Sequence, residues 1–216
     1  MSEGAPTVTH RHFQYLSQRT LCEDPLLREL RQAALAAGLP PIWIAPEQGS
    51  FMQILLRVMG AREVVEVGTL GGYSAIWMAR ALPEGGMVRT IEISGKHAEF
   101  AERWIGRSDV ASRIRVYRGA GRDVLAQFKA GSADAVFLDA DKANYPLYLR
   151  EALRILRRGG LVMADNAFAF GQLFEDSPTR DDVRDVQIFN DLMAKENALQ
   201  SIIVPLGDGL WVGVKL

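Results

Sequence analysis

Two apolar runs of the 216-residue chain end in groups able to hold a metal ion and move a proton. One is Phe137-Leu138-Asp139-Ala140-Asp141-Lys142 and the other is Met163-Ala164-Asp165-Asn166. If the runs are neighbouring strands, Asp139 and Asp165 converge at one edge with the Asn166 amide oxygen beside them. Two carboxylates and an amide carbonyl are hard oxygen donors, suited to Mg²⁺, or to Ca²⁺ or Mn²⁺, rather than to zinc. Three such donors leave octahedral positions open for a chelating substrate. Lys142, three residues after Asp139, would sit above the same edge. Positive charge nearby favours its neutral amine, which can take a proton from an acceptor hydroxyl. The structural alternative is that Asp139, Asp165 and Asn166 only cap helices or turns and that Lys142 is a surface lysine.

A second stretch, Val64 to Ser74, reads as a buried strand, a glycine turn and the start of a helix. The turn does not carry the dinucleotide fingerprint, because Leu70 and Tyr73 stand where glycines are needed. Glu66 before the turn would repel a pyrophosphate but could hold the ammonium of an amino acid. S-adenosylmethionine has that ammonium and no phosphate. Glu92, about twenty residues beyond Gly72, is placed to accept ribose hydroxyls. Gly119, Ala120 and Gly121, after a third strand, are small enough for an adenine to lie against. A ligand-free strand–helix turn and a solvated acid are the plain alternatives.

Elements of one fold class must position these groups. Strands are expected near residues 62–68, 87–93, 113–118, 134–139 and 159–165, with helices near 73–82, 95–106, 121–129 and 144–157 between them. Each connection is long enough for a crossover helix, which predicts an α/β fold with a doubly wound, Rossmann-like, mostly parallel sheet. A further helix spans about 181–196. The ending, Ile202 to Val214, reads as two strands joined by a tight turn, an antiparallel pair that closes the sheet. The first sixty residues predict helices only: around Phe13 to Arg19, from Asp24 to Ala37 with Asp24-Pro25 as cap and first turn, and from Pro46 onward. This helical region shapes the acceptor side or an interface, and the chain is expected to be one domain over residues 1–216.

Composition sets the class. A hydrophobic share of 48% and a formal net charge of −1 describe an ordinary soluble globule with no basic excess for nucleic acid. The single cysteine, Cys22, cannot pair within the chain, as expected of a reducing compartment. The stretch Met1 to Pro6 lacks the basic and apolar regions of a leader, and no apolar run is long enough to span a membrane. The expected location is cytoplasmic.

Glu66-Val67-Gly68-Thr69 with Gly72-Tyr73-Ser74, Asp139-Ala140-Asp141-Lys142 with Asn144-Tyr145, Gly159-Gly160 and Asp165-Asn166 occur in one order. Together they resemble the metal-dependent class I O-methyltransferases that include the caffeoyl-coenzyme A and catechol enzymes. The resemblance runs from Pro46-Glu47-Gln48-Gly49 through Phe189-Asn190 to Pro205-Leu206-Gly207-Asp208-Gly209-Leu210. It implies that Glu66, Gly68, Thr69, Ser74, Glu92, Gly121, Asp139 and Asp141 bind S-adenosylmethionine. It makes Asp139, Asp165 and Asn166 the metal ligands and Lys142 the base, and it implies a homodimer. The acceptor it implies is a phenol with two vicinal hydroxyls. Ile44 and Phe170 depart from the plant members, which carry a hydroxyl residue and an asparagine there. Trp43, Phe168, Phe170 and Trp211 are candidates for an aromatic acceptor wall or for the core, and residues 169–180 for a lid. The competing functions are methylation of a hydroxylated uridine in tRNA by the same chemistry, and a silent cofactor-binding module. A nicotinamide dehydrogenase is disfavoured by the glycine pattern.

Overall fold

The computed structural model describes residues 9–21 and 23–216; the leader reading at Met1 to Pro6 and the lone thiol of Cys22 lie outside them. Three helices come first: α1 (His10–Ser17), α2 (Pro25–Ala36) and α3 (Pro46–Val58). Asp24 caps α2 by accepting from the Leu27 N–H at 2.9 Å, with Pro25 in the first turn, as the sequence predicts.

The alternating part is β1 (Glu63–Val67), α4 (Tyr73–Ala79), β2 (Met87–Glu92), α5 (Gly95–Ile105), β3 (Ile114–Arg118), α6 (Gly121–Leu125), β4 (Ala133–Leu138), α7 (Tyr145–Ile155) and β5 (Leu156–Ala164). The chain ends with α8 (Asp181–Lys195), β6 (Leu199–Val204) and β7 (Leu210–Lys215). The seven strands run in the order β3-β2-β1-β4-β5-β7-β6, and β7 is antiparallel to both of its neighbours. Strand order therefore reverses between β1 and β4, the switch point at which ligands of such sheets sit.

Alternating side chains of the central strands feed two cores. Val64 and Phe137 pack on the side of α3, α4 and α5, while Val65, Val67, Val136 and Leu138 pack on the side of α7 and α8. A sheet covered on both faces explains why these strands read as continuous apolar runs.

Several boundaries differ from the sequence reading, β6 beginning at Leu199 rather than Ile202 and α1 at His10 rather than Phe13 among them, and three have a plain physical cause. Strand β5 starts at Leu156 rather than near 159, because Leu156 pairs with Ala133 before a register shift; the exposed Arg157 and Arg158 disguise that start. Helix α6 ends at Leu125 rather than near 129, where the Gln127 and Phe128 N–H groups bond back only three residues. Helix α4 ends at Ala79 in the same way, its last turn tightening through Ala81 and Leu82 before Pro83. Among the described residues no helix is long and apolar enough to cross a membrane.

Candidate active site

Parallel strands extend their ladders by one residue at the carboxyl edge, and that extension builds the site. Gly68 N–H donates to Ile91 O at 3.0 Å, Gly119 N–H to Glu92 O at 2.9 Å, Asp139 N–H to Val67 O at 2.9 Å and Asp165 N–H to Leu138 O at 3.0 Å. Five strand ends are thereby held at one level, and a cavity of about 1360 Å³ opens above them. Gly68, Thr69, Ser74, Glu92, Gly121, Asp139, Asp141, Lys142, Asp165 and Asn166 all line it. Of the residues expected to bind the cofactor, hold the metal or act as base, Glu66 alone does not.

Glu66 is fully buried behind the glycine turn and reaches the cavity through the Ser74 hydroxyl, which donates to its Oε1 at 2.5 Å. Its Oε2 has no hydrogen-bond partner. Burial, well ahead of its neighbours' charges, pushes this carboxyl up to about 8 from an ordinary 4.5. In the unfolded chain it ionises near 4.5, whereas in the folded, cofactor-free chain it keeps its proton until about pH 8. The unfolded state then binds fewer protons, so stability falls as pH rises from about 4.5 to 8 and levels off above. Glu66→Gln removes the titration. Thermal unfolding across this window is expected to show a smaller decline for the variant, and identical declines would contradict the assignment.

The turn itself is set by packing. At Gly68, with φ +104°, a Cβ would overlap the carbonyl of Asp139, so the glycine lets β1 and β4 close on each other above the switch point. Thr69 lines the cavity while its hydroxyl bonds that of Thr90 at 2.5 Å. Glu92 Oε2 accepts from the Leu70 N–H at 2.8 Å and Oε1 from the Ser94 N–H at 2.9 Å, which ties the glycine turn to the end of β2. At Gly121 a Cβ would stand 2.8 Å from both the Tyr148 ring and Val67, leaving room only for glycine at this wall. Asp141 accepts from the Tyr148 hydroxyl at 2.7 Å and from the Asn144 amide.

Asp139, Lys142 and Asp165 meet at the β4–β5 edge. Lys142 is buried; its Nζ lies 3.4 Å from Asp139 Oδ1 and donates to the Tyr145 hydroxyl at 2.5 Å. That hydroxyl donates in turn to Leu138 O at 3.1 Å, so the lysine is tied to the strand that carries Asp139. Burial, then the charges of Asp139 and Asp165, push the Tyr145 phenol far up, which keeps it a donor at any working pH. Asp165 Oδ1 accepts from Gln48 Nε2 at 2.6 Å. Burial first, and the Asp139 charge second, push Asp165 up to about 7; burial likewise raises Asp139 against the pull of Lys142. Two neighbouring carboxyls whose protons burial favours are two that an added cation would let ionise. The donor set thus fits a hard divalent ion, although among the described residues no cluster of three or more His, Cys, Asp or Glu could hold a metal. The Asn166 amide, which lines the same cavity, is a candidate for a third oxygen.

Two further residues escaped the sequence reading. Gln48 is buried at the start of α3, where its Oε1 accepts from the Ala45 N–H at 2.9 Å while its amide grips Asp165. Asp208, between β6 and β7, accepts from Asn166 Nδ2 at 3.1 Å and from the Phe170 N–H at 2.8 Å. The sequence shows the first as an N-terminal helix residue and the second as a turn acid, and neither signal points to the β4–β5 edge. Apolar side chains also line the cavity, Leu30 and Ala34 from α2, Ile42, Trp43 and Ile44 after it, and Phe170, with the Arg31 and Arg180 guanidiniums over the Trp43 and Phe170 rings. Trp43 and Phe170 thus face the cavity, while Trp211 is a core residue whose indole N–H donates to Asn190 and Phe168 packs on Gly209.

The profile of the O-methyltransferase family matches residues 17–216. A catechol O-methyltransferase of Niastella koreensis is 37% identical over 204 residues, 93% of this chain and 90% of its own. A catechol O-methyltransferase of Mycobacterium tuberculosis is 39% identical over 169 residues, 78% of this chain and 77% of its own. The crystal structure of an O-methyltransferase from Bacillus cereus in complex with SAH superposes with a TM-score of 0.85 at 36% identity, covering 94% of this chain and 96% of that one.

Proposed function

The chain belongs to the O-methyltransferase family, and from that premise we propose that it moves the methyl group of S-adenosylmethionine to one of two vicinal hydroxyls on a small phenol, with a divalent cation bound. The observation that carries this reading is the meeting of Asp139, Lys142 and Asp165 at adjacent strand ends, on the wall of the same cavity as the glycine turn.

In this reading the methionine part of the donor lies at Gly68, Thr69 and Ser74, Glu92 takes the ribose, and the adenine lies toward Gly121, with Asp141 nearby. Asp139, Asp165 and Asn166 hold the cation, most simply Mg²⁺, which when bound withdraws charge from the acceptor hydroxyls and makes a proton easier to lose. Lys142 takes that proton at Nζ, handed to it within a cage of Tyr145 and Asp139 that fixes the amine's direction. The acceptor oxygen then attacks the methyl carbon, the carbon–sulfur bond breaks, and its electron pair stays on sulfur. The sulfonium charge disappears in this step, which apolar side chains of the cavity favour, the buried Ile44 and the Trp43 and Phe170 rings among them. The same aromatic pair suits a phenolic ring. Most of the acceleration comes from holding both reactants in line above a rigid sheet edge. The homodimer implied by the family resemblance belongs to the same proposal.

The test is methyl transfer from labelled S-adenosylmethionine to a panel of catechols and to bulk tRNA, with Mg²⁺ and with chelator. Transfer to a catechol that chelator abolishes is the expected result. Activity indifferent to chelator would remove the metal from the reading, and transfer to tRNA alone would replace the acceptor.

A further inference from the structure

We propose that Asp208 is a positioning residue that decides which end of the Asn166 amide faces the cation, an inference that rests on the metal reading above. The turn between β6 and β7 is locked in place from three sides. A Cβ at Gly207 would overlap the Gln48 amide, and one at Gly209 would stand 2.9 Å from the Phe168 ring. The backbone is fixed as well, with Ala167 N–H donating to Gly209 O at 2.9 Å and Phe168 N–H to Asp208 O at 2.8 Å. Asp208 therefore has little freedom to move relative to the segment after β5.

Its Oδ2 accepts two hydrogen bonds, from Asn166 Nδ2 and from the Phe170 N–H. A carboxylate only accepts, so it selects the NH₂ end of the amide and turns the carbonyl oxygen to the opposite side. That oxygen is the end a hard cation needs. Reversed, the amide would set an acceptor against the carboxylate and offer NH₂ to the cation. Asn166 and Phe170 both have left-handed backbones, with φ of +67° and +59°. Such conformations persist where their surroundings hold them, and Asp208 bonds to both residues. Gln48 grips Asp165 while Asp208 grips Asn166, so adjacent donors are oriented by segments far apart in the chain.

The experiment is Mn²⁺ binding, read by the paramagnetic resonance of the free ion, with S-adenosylhomocysteine saturating. The proteins are wild type, Asp208→Ala, Asp208→Asn, Asn166→Ala and the double variant Asp208→Ala/Asn166→Ala. Alanine removes the acceptor and lets the amide reverse, whereas asparagine, with its oxygen held by the Phe170 N–H in place of Oδ2, still accepts from Asn166 Nδ2. Asp208→Ala is expected to weaken Mn²⁺ binding about 10–100-fold. In the Asn166→Ala background it should cause no further loss. Asp208→Asn should bind more tightly than Asp208→Ala. Unchanged affinity in Asp208→Ala, equal loss in the Ala and Asn variants, or losses that multiply in the double variant would each overturn the inference while leaving the metal site standing. Absence of Mn²⁺ binding by the wild type would overturn the metal reading and this inference with it.

Discussion

Replacing Lys142 by methionine is expected to lower kcat for methyl transfer by about 10²–10⁴-fold, the usual worth of a positioned general base. Methionine keeps an unbranched apolar stem in a site where the lysine is buried, so the fold should survive and the affinity for S-adenosylmethionine should change little. No neighbour is suited to replace the lost amine. Tyr145 is held protonated by burial and by the charges of Asp139 and Asp165, and in the proposed reading the two carboxylates are taken up by the cation. The deficit should narrow as pH rises and the acceptor begins to ionise unaided. Steady-state kcat and KM across that range, with unfolding temperature as a control, decide the matter. A kcat within a few-fold of wild type would return Lys142 to the role of a buried counter-charge for Asp139.

The largest expected effect on stability is Gly68→Ala. The added methyl would overlap the backbone carbonyl of Asp139, which cannot swing aside as a side chain can, and φ of +104° is foreign to an L-residue. Relief requires β1 and β4 to part at their ends, although these strands are hydrogen-bonded along their length and continue through Asp139 N–H to Val67 O. A loss of about 4–5 kcal/mol is expected, in the range reserved for core disruption and forced backbone strain. Denaturant unfolding of purified protein, or a failure to accumulate as soluble protein, would register it. A midpoint close to wild type would mean that the turn is slack, and the close approach of the two strands would lose its significance.

Much of this site was readable in advance because parallel sheets write their own ends. Buried strands are short apolar runs, and the first polar residues after Val67, Leu138 and Ala164 fall at the carboxyl edge by construction. Asp139, Lys142, Asp165 and Asn166 could therefore be placed together from the pattern, once β4 and β5 were expected side by side. What resisted was contact between distant segments. Gln48 lies 117 residues from Asp165 and Asp208 lies 42 residues from Asn166, and no local periodicity encodes either meeting. The burial of Glu66 behind Ser74 was hidden for a related reason. A strand's alternation tells which face a side chain takes, but not whether a turn will cover it. Helix α6 read too long because Gln127 and Phe128 continue an acceptable helical composition, whereas their N–H groups bond three residues back instead of four.

The cavity draws its two halves from parts of the chain under different constraint. Its floor is strand ends fixed by neighbouring strands, and much of its rim is Ile42 and Trp43, ahead of α3, with Phe170 and Arg180, ahead of α8. Substitutions in the floor disturb the sheet, while those in the rim fall in connecting segments that tolerate change. Descendants of such a chain can therefore trade one acceptor for another through a few rim substitutions, with the reacting groups inherited intact.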